Sequence, residues 1–233
     1  MMSAPPRPAS ALSVAALVLL ALLALAAPVR GQTKADSVLD RAVKAHGSVG
    51  TLRATFEQVL TNPLTGSEVK ARGELQQQPP RYLSIVFTEP KGDRIVADGQ
   101  SLWVSAPSAL PGQVLRLPLG AAGPGLGGID VLGQFFEQPR VRYAITPLGP
   151  AQVDGRATFA LKLVPKGGDS PFTQATVWLD DATGLARQFE TTDPNGIVRR
   201  VRLLTLRPGA KLDDGIFRFV PPKGARIIER PGM

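Results

Sequence analysis

The chain has 233 residues, with 27 lysines and arginines against 19 aspartates and glutamates, one histidine and no cysteine, giving a net charge of +8 at pH 7. The absence of thiols excludes disulfides, thiolate nucleophiles and Cys/His metal clusters. The positive balance suits an anionic membrane surface or an acidic partner protein.

In chain order, the first element is a leader. Arg7 precedes an apolar run from Ala11 to Ala27, and Ala24-Leu25-Ala26 supplies a small-x-small site. These are the parts of a secretory signal peptide. About 17 residues rising about 1.5 Å each reach about 25 Å, short of a hydrocarbon core of about 30 Å, and Pro28 follows directly. The reading is a leader over residues 1–31, cleaved between about 26 and 32, and one domain over 32–233. A lipoprotein would need a cysteine at the cleavage site to carry its acyl chains. Arg7 and Arg30 belong to the leader, so the remainder stays basic, at +6.

From Ala35 to His46, Val38, Leu39, Ala42 and Val43 fall at helical spacing, with Asp36 or Ser37 as cap. Gly47 marks the stop, which makes His46 a cation near the negative helix end rather than a catalytic group. Beyond Gly50 the period changes to two. Leu52, Ala54 and Phe56 alternate with polar residues, Leu83, Ile85 and Phe87 with Ser84 and Val86, and Phe159, Leu161 and Leu163 with Ala160 and Lys162. Further strands are predicted at 141–145, 175–179, 185–189 and 197–204. Turn chemistry joins them at Asp98-Gly99, Asp154-Gly155, Gly167-Gly168, 181–184 and 193–196. This describes a mostly antiparallel meander, a barrel or a strongly curved sheet.

One stretch departs from that pattern. Residues 117–128 are rich in Gly, Ala, Pro and Leu, and Ile129, Leu132, Phe135 and Phe136 then recur at helical spacing. A greasy helix behind a flexible loop reads as a lid, with Leu132, Phe135 and Phe136 as its apolar contacts.

Asp180-Asp181 and Asp213-Asp214 read as turns, no Ser lies in a Gly-x-Ser-x-Gly elbow, and the Gly120–Gly128 stretch lacks the Lys-Ser/Thr ending of a phosphate loop. The expectation is a binder rather than an enzyme, with no cofactor and no metal. The apolar face of the sheet is either an ordinary core or a groove for acyl chains, and alternation alone leaves both open. Of the basic residues late in the chain, Arg200 and Arg202 share a strand face that is either solvated or a dock for an acidic partner; Arg199 and Arg207 accompany them. Nucleic acid is excluded as a partner, since no aromatic-basic interleaving occurs.

An ordered set of strings resembles the LolA family of periplasmic outer-membrane lipoprotein carriers: Ala54-Thr55-Phe56-Glu57-Gln58, Gly73-Glu74-Leu75, Pro80 opening Tyr82 to Phe87 with Glu89-Pro90, Ile95-Val96-Ala97-Asp98-Gly99 with Leu102-Trp103, and Phe217-Arg218-Phe219-Val220-Pro221-Pro222-Lys223-Gly224. The resemblance implies an unclosed antiparallel β-barrel, a half-barrel with an N-terminal helix and a short helical lid over an apolar cavity. It implies a monomeric periplasmic chaperone that takes triacylated lipoproteins from an inner-membrane lipoprotein-releasing ABC transporter and delivers them to an outer-membrane lipoprotein receptor. Leu83, Ile85 and Phe87 match the family's cavity strand. Phe56, Leu75 and Trp103 match motif positions that either line the cavity or pack behind it. The family commonly carries a lid-latching arginine directly before the proline that opens this strand. Here Pro79 stands there, and Arg81 is the nearest candidate latch. The rival reading is an envelope lipid or lipoprotein sensor with a similar half-barrel.

Overall fold

The computed structural model describes residues 29–119, 131–167 and 170–229, with side chains from residue 34 onward. Residues 1–28 of the leader, the glycine-rich loop with Ile129, and Gly168 lie outside the described residues.

Helix α1, Val29–Gly47, is longer at its start than the periodicity predicts. Neither expected cap acts as one. Ser37 Oγ donates to the Lys34 carbonyl at 2.8 Å, the back-bonding of a residue inside a helix, while Asp36 is turned outward to Arg140 at 3.2 Å. Val38, Leu39 and Ala42 form its buried stripe.

Twelve strands follow: β1 Leu52–Thr61, β2 Glu68–Gln78, β3 Tyr82–Glu89, β4 Arg94–Asp98, β5 Ser101–Ser105, β6 Gln113–Pro118, β7 Tyr143–Val153, β8 Arg156–Pro165, β9 Gln174–Asp180, β10 Ala186–Thr192, β11 Val198–Pro208 and β12 Arg226–Glu229. They form one sheet in the order β12-β6-β5-β4-β3-β2-β1-β11-β10-β9-β8-β7. All neighbours are antiparallel except β6 and β12, which run parallel. The chain therefore meanders outward from β1 to β6, crosses to the opposite edge, and meanders back from β7 until β11 pairs with β1. The sheet is an open half-barrel, as the alternation and the family resemblance imply.

The predicted turns at Asp98-Gly99 and 181–184 form as expected. Asp98 Oδ1 accepts from Gln100 and Ser101 at 2.9 and 2.7 Å, and Asp180 Oδ1 from Ala182 and Thr183 at 3.0 and 2.9 Å. Asp213 Oδ1 likewise accepts from Gly215 N–H at 2.8 Å. At the β9–β10 turn Gly184 has φ +73° and lies against the Arg41 carbonyl of α1, a position with neither the conformation nor the room for a side chain. One predicted strand starts late. Residues 139–142 form a single helical turn, Pro139–Arg142, because Pro139 sits at its first position.

Bulges between Thr55 and Phe56 on β1 and between Arg72 and Gly73 on β2 bend the middle of the sheet. Gly73 faces Phe56 across the strands, and a Cβ there would strike the Val86 carbonyl and the Phe56 ring. The missing side chain lets the Phe56 and Phe87 rings meet edge to face at 5.7 Å on the concave side. On the convex side, over β1, β2, β10 and β11, charged residues interlock: Arg53 with Glu74, Arg72 with Glu57, Arg202 with Glu57 and Asp154, and Arg200 with Glu190. These pairs are largely exposed, so they hold the outer face polar more than they stabilise it.

Candidate binding cavity

The two halves of the concave face are filled differently. Over β7 to β10, the stripe of α1 and a cluster of Phe135, Phe136, Phe172 and Phe189 rings pack against Leu161, Leu163, Val177 and Leu179. Over β1 to β5, with β10 and β11 as one wall, the space stays open as a cavity of about 410 Å³. Its lining comes from Phe56, Gln58 and Leu60 of β1, Leu75 of β2, Leu83, Ile85 and Phe87 of β3, Ile95 of β4, Leu102 of β5, Phe189 and Thr191 of β10, and Arg199, Val201 and Leu203 of β11. Val131, Leu132 and Gln134 cover it from above, beside Pro171 and Phe172.

Alternation explains the lining, since residues two apart along a strand share a face. Exposure then grades along the strands. Phe56 is buried while Gln58 and Leu60 are partly open; Leu203 and Val201 are buried while Arg199 is exposed. The cavity thus has an apolar floor at Leu75, Leu83 and Leu102. Its mouth, beside the β10–β11 turn, is partly polar.

Of the residues expected on the cavity, Phe56, Leu75, Leu83, Ile85 and Phe87 lie on its wall. Trp103 does not. Leu102 takes the inward position on β5, so Trp103 faces the convex side, where it stacks on Phe219 with centroids 5.3 Å apart and its Nε1–H donates to Asp98 Oδ2 at 2.7 Å. Arg116 lies over the same ring. Burial raises the Asp98 pKa, but the Ser101 N–H, the Trp103 indole and the Gln100 N–H outweigh it and hold the carboxyl below its usual range.

Among the described residues, the lid consists of residues 131–138 around one 3₁₀ turn, Gly133–Phe135. Leu132, Phe135 and Phe136 are all buried beneath it. Tyr143 Oη donates to the Gln134 carbonyl at 3.0 Å, and Arg142 Nη1 donates to the same oxygen at 3.2 Å. Burial raises the Tyr143 pKa, which keeps its hydroxyl a donor. Phe136 stacks on His46, with centroids 4.2 Å apart and planes 10° from parallel.

His46 is therefore not the helix-end cation that its position suggests. Its Nε2 accepts from the Ala186 N–H at 3.1 Å, which requires a bare ring nitrogen. It ties α1, β10 and the lid together. Pro79 borders the same crevice as His46 and Leu132, so the position expected to hold a latching arginine does meet the lid, though with a side chain that donates nothing. Arg81 is exposed and makes no hydrogen bond or ion pair among the described residues.

Lining groups that were not expected on the cavity include Leu102, Phe189 and Arg199. The signal for Arg199 was its spacing, because it is two residues from Val201 and four from Leu203, while Arg200 and Arg202 alternate to the other face.

The family model described as "Outer membrane lipoprotein carrier protein LolA" matches residues 47–110. That segment carries β1 to β5 and so the cavity wall from Phe56 to Leu102, while β10, β11 and the lid lie outside it. The outer-membrane lipoprotein carrier protein of Methylibium petroleiphilum is 29% identical over 211 residues, 91% of this chain and 97% of that one. The protein of the same description from Chromobacterium violaceum is 28% identical over 90% of this chain and 96% of its own. Among solved structures, an uncharacterized conserved protein from Thermus thermophilus superposes with a TM-score of 0.52 at 14% identity, covering 84% of this chain and 99% of that one. MucB does so with a TM-score of 0.50 at 16% identity, covering 84% of this chain and 66% of its own. These two likenesses show the half-barrel fold. No helix among the described residues is long and apolar enough to cross a membrane.

Proposed function

Because the chain belongs to the LolA family of outer-membrane lipoprotein carriers, we propose that it shields the acyl chains of lipoproteins in transit between the two membranes of a bacterial envelope. The observation that carries this reading is the largely apolar cavity of about 410 Å³ bordered by Val131, Leu132 and Gln134 of the short lid segment. In this reading residues 1–31 direct export to the periplasm, residues 32–233 are the single carrier domain, and the protein works as a monomer without chemistry or cofactor. An inner-membrane lipoprotein-releasing ABC transporter loads it, and an outer-membrane receptor unloads it.

The energetics set the design. An acyl chain of about 16 carbons leaves water with a gain of about 12 kcal/mol. A carrier must offset most of that cost of exposure and still release its cargo. Burial of Leu132, Phe135 and Phe136 in the empty protein supplies the competition, because cargo must displace lid contacts and its net affinity falls accordingly. The cavity volume sits near the small end of the roughly 300–1,000 Å³ typical of ligand pockets. The closed form suits one chain, and a triacylated cargo calls for lid opening.

Spheroplasts that retain newly made lipoproteins provide the test. Added wild-type protein should release them as a soluble complex, and Ile85→Glu, a charge on the cavity wall at a half-buried position, should not while keeping its circular dichroism. Absence of release by the wild type would instead favour the sensor reading.

A further inference from the structure

The carrier reading uses the apolar wall of the cavity and leaves its polar end without a task. Arg199 stands at that end, on the inner face of β11 in line with Val201 and Leu203. Its neighbours on the outer face are ion-paired: Arg200 with Glu190 at 2.7 Å, and Arg202 with Glu57 and with Asp154 at 2.9 Å. Among the described residues, Arg199 has no ion-pair or hydrogen-bond partner for its guanidinium. Asp193 borders the same mouth, but its Oδ1 already accepts from the Asn195 and Ile197 backbone N–H groups at 2.9 and 2.8 Å. Desolvation lowers the Arg199 pKa against the attraction of Asp193. The group nonetheless stays ionised, as arginine does in proteins, and its exposed position at the mouth leaves it open to an arriving anion. Gln58 and Thr191 supply neutral hydrogen-bonding groups beside it.

A forked cation at the rim of an apolar pocket fits an amphiphile, chain inward and anion outward. The volume of the closed form limits that amphiphile to one chain. We propose that the closed protein binds a single-chain lipid with an anionic head, of the fatty-acid or lysophospholipid class, its chain along Phe56, Leu83 and Ile85 and its head on Arg199. This rests on the cavity being an acyl-chain site. It differs from lipoprotein carriage in needing no lid displacement, so such a lipid would compete with cargo for the floor of the cavity while leaving the lid shut.

The test is calorimetric titration of the protein recovered from the periplasm after expression of the whole chain. Dodecanoate, lauroyl-lysophosphatidylglycerol and the uncharged 1-dodecanol serve as probes below their aggregation limits. The wild type should bind an anionic probe about tenfold more tightly than dodecanol, a typical effect of one charge-assisted contact. Whichever anionic probe leads identifies carboxylate or phosphate as the preferred head. Arg199→Gln should erase the preference with dodecanol affinity unchanged, and Arg199→Lys should retain part of it. Equal affinities in the wild type, or a preference that survives Arg199→Gln, would overturn the assignment while leaving the acyl-chain cavity intact. Failure of all three probes to bind would overturn both.

Discussion

The two halves of the concave face share one sheet, one alternation and nearly one composition, yet one is a core and the other a cavity. Over β7 to β10 the chain returns to cover what it has exposed: α1 lays Val38, Leu39 and Ala42 on the sheet, and Phe135 packs between Phe172 and Phe189 with none of its surface exposed. Over β1 to β5 the described residues that reach across are Val131, Leu132 and Gln134 of the lid, with Pro171 and Phe172 beside them, and the space between stays open. What separates a core from a binding site here is the supply of covering side chains, not the character of the strands.

The largest effect should come from the filled half. Asp180 and Arg187 form an ion pair at 2.9 Å with side chains only 4% and 10% exposed. Asp180→Ala strands a buried guanidinium and should cost about 3–5 kcal/mol in denaturant unfolding. The same pair gives a pH signature. Burial raises the Asp180 pKa, but the Thr183 N–H, Arg187 and the Ala182 N–H outweigh it, so the folded value lies below the ordinary one. Its stabilising contribution is therefore complete above the unfolded value of about 3.9 and is lost as the pH falls through the folded value. Melting temperatures taken from pH 6 to 2 should drop below about pH 4, and less steeply in Asp180→Asn, whose side chain cannot titrate.

A matched pair of truncations compares the halves directly. Leu161→Ala, in the filled half, should cost about 3 kcal/mol and leave binding of a fluorescent acyl probe intact at temperatures where the variant is folded. Leu83→Ala, beside an existing void, has fewer partners to lose and should cost about 1.5 kcal/mol while changing probe affinity several-fold. Equal costs would mean that the cavity closes up in solution.

His46→Ala should fall at about 1–2 kcal/mol, since it removes the acceptor of the Ala186 N–H and the stacking surface of Phe136. It should also raise the susceptibility of residues 131–138 to limited proteolysis. Arg81→Ala should be the smallest change, within about 0.5 kcal/mol and with the same proteolysis pattern. A loosened lid in that variant would restore Arg81 as the latch.

Much of this architecture is legible in the sequence because strands announce themselves by a period of two and hairpins by Asp-Gly and Asp-Pro-Asn-Gly turns. The inward set Leu83, Ile85 and Phe87 follows from the same alternation once one face is known to be apolar. The side of Trp103 is not legible, because its motif position leaves both lining the cavity and packing behind it open. Its partner Phe219 comes from a segment near the end of the chain, which no local pattern can supply. His46 misleads for a related reason, since its acceptor role is set by Ala186, 140 residues further along the chain. The lid is legible as an apolar cluster but not in length, because the helical spacing of Leu132, Phe135 and Phe136 needs only the one 3₁₀ turn found at Gly133–Phe135.

The most direct test of the cavity uses adjacent positions on one strand. Ile85 faces the cavity and Val86 the opposite side of the sheet. A photoreactive benzoylphenylalanine placed at each position in turn, in protein loaded from spheroplasts, should cross-link to lipoprotein from position 85 and not from 86. Cross-linking from 86, or from both equally, would contradict an acyl-binding concave face.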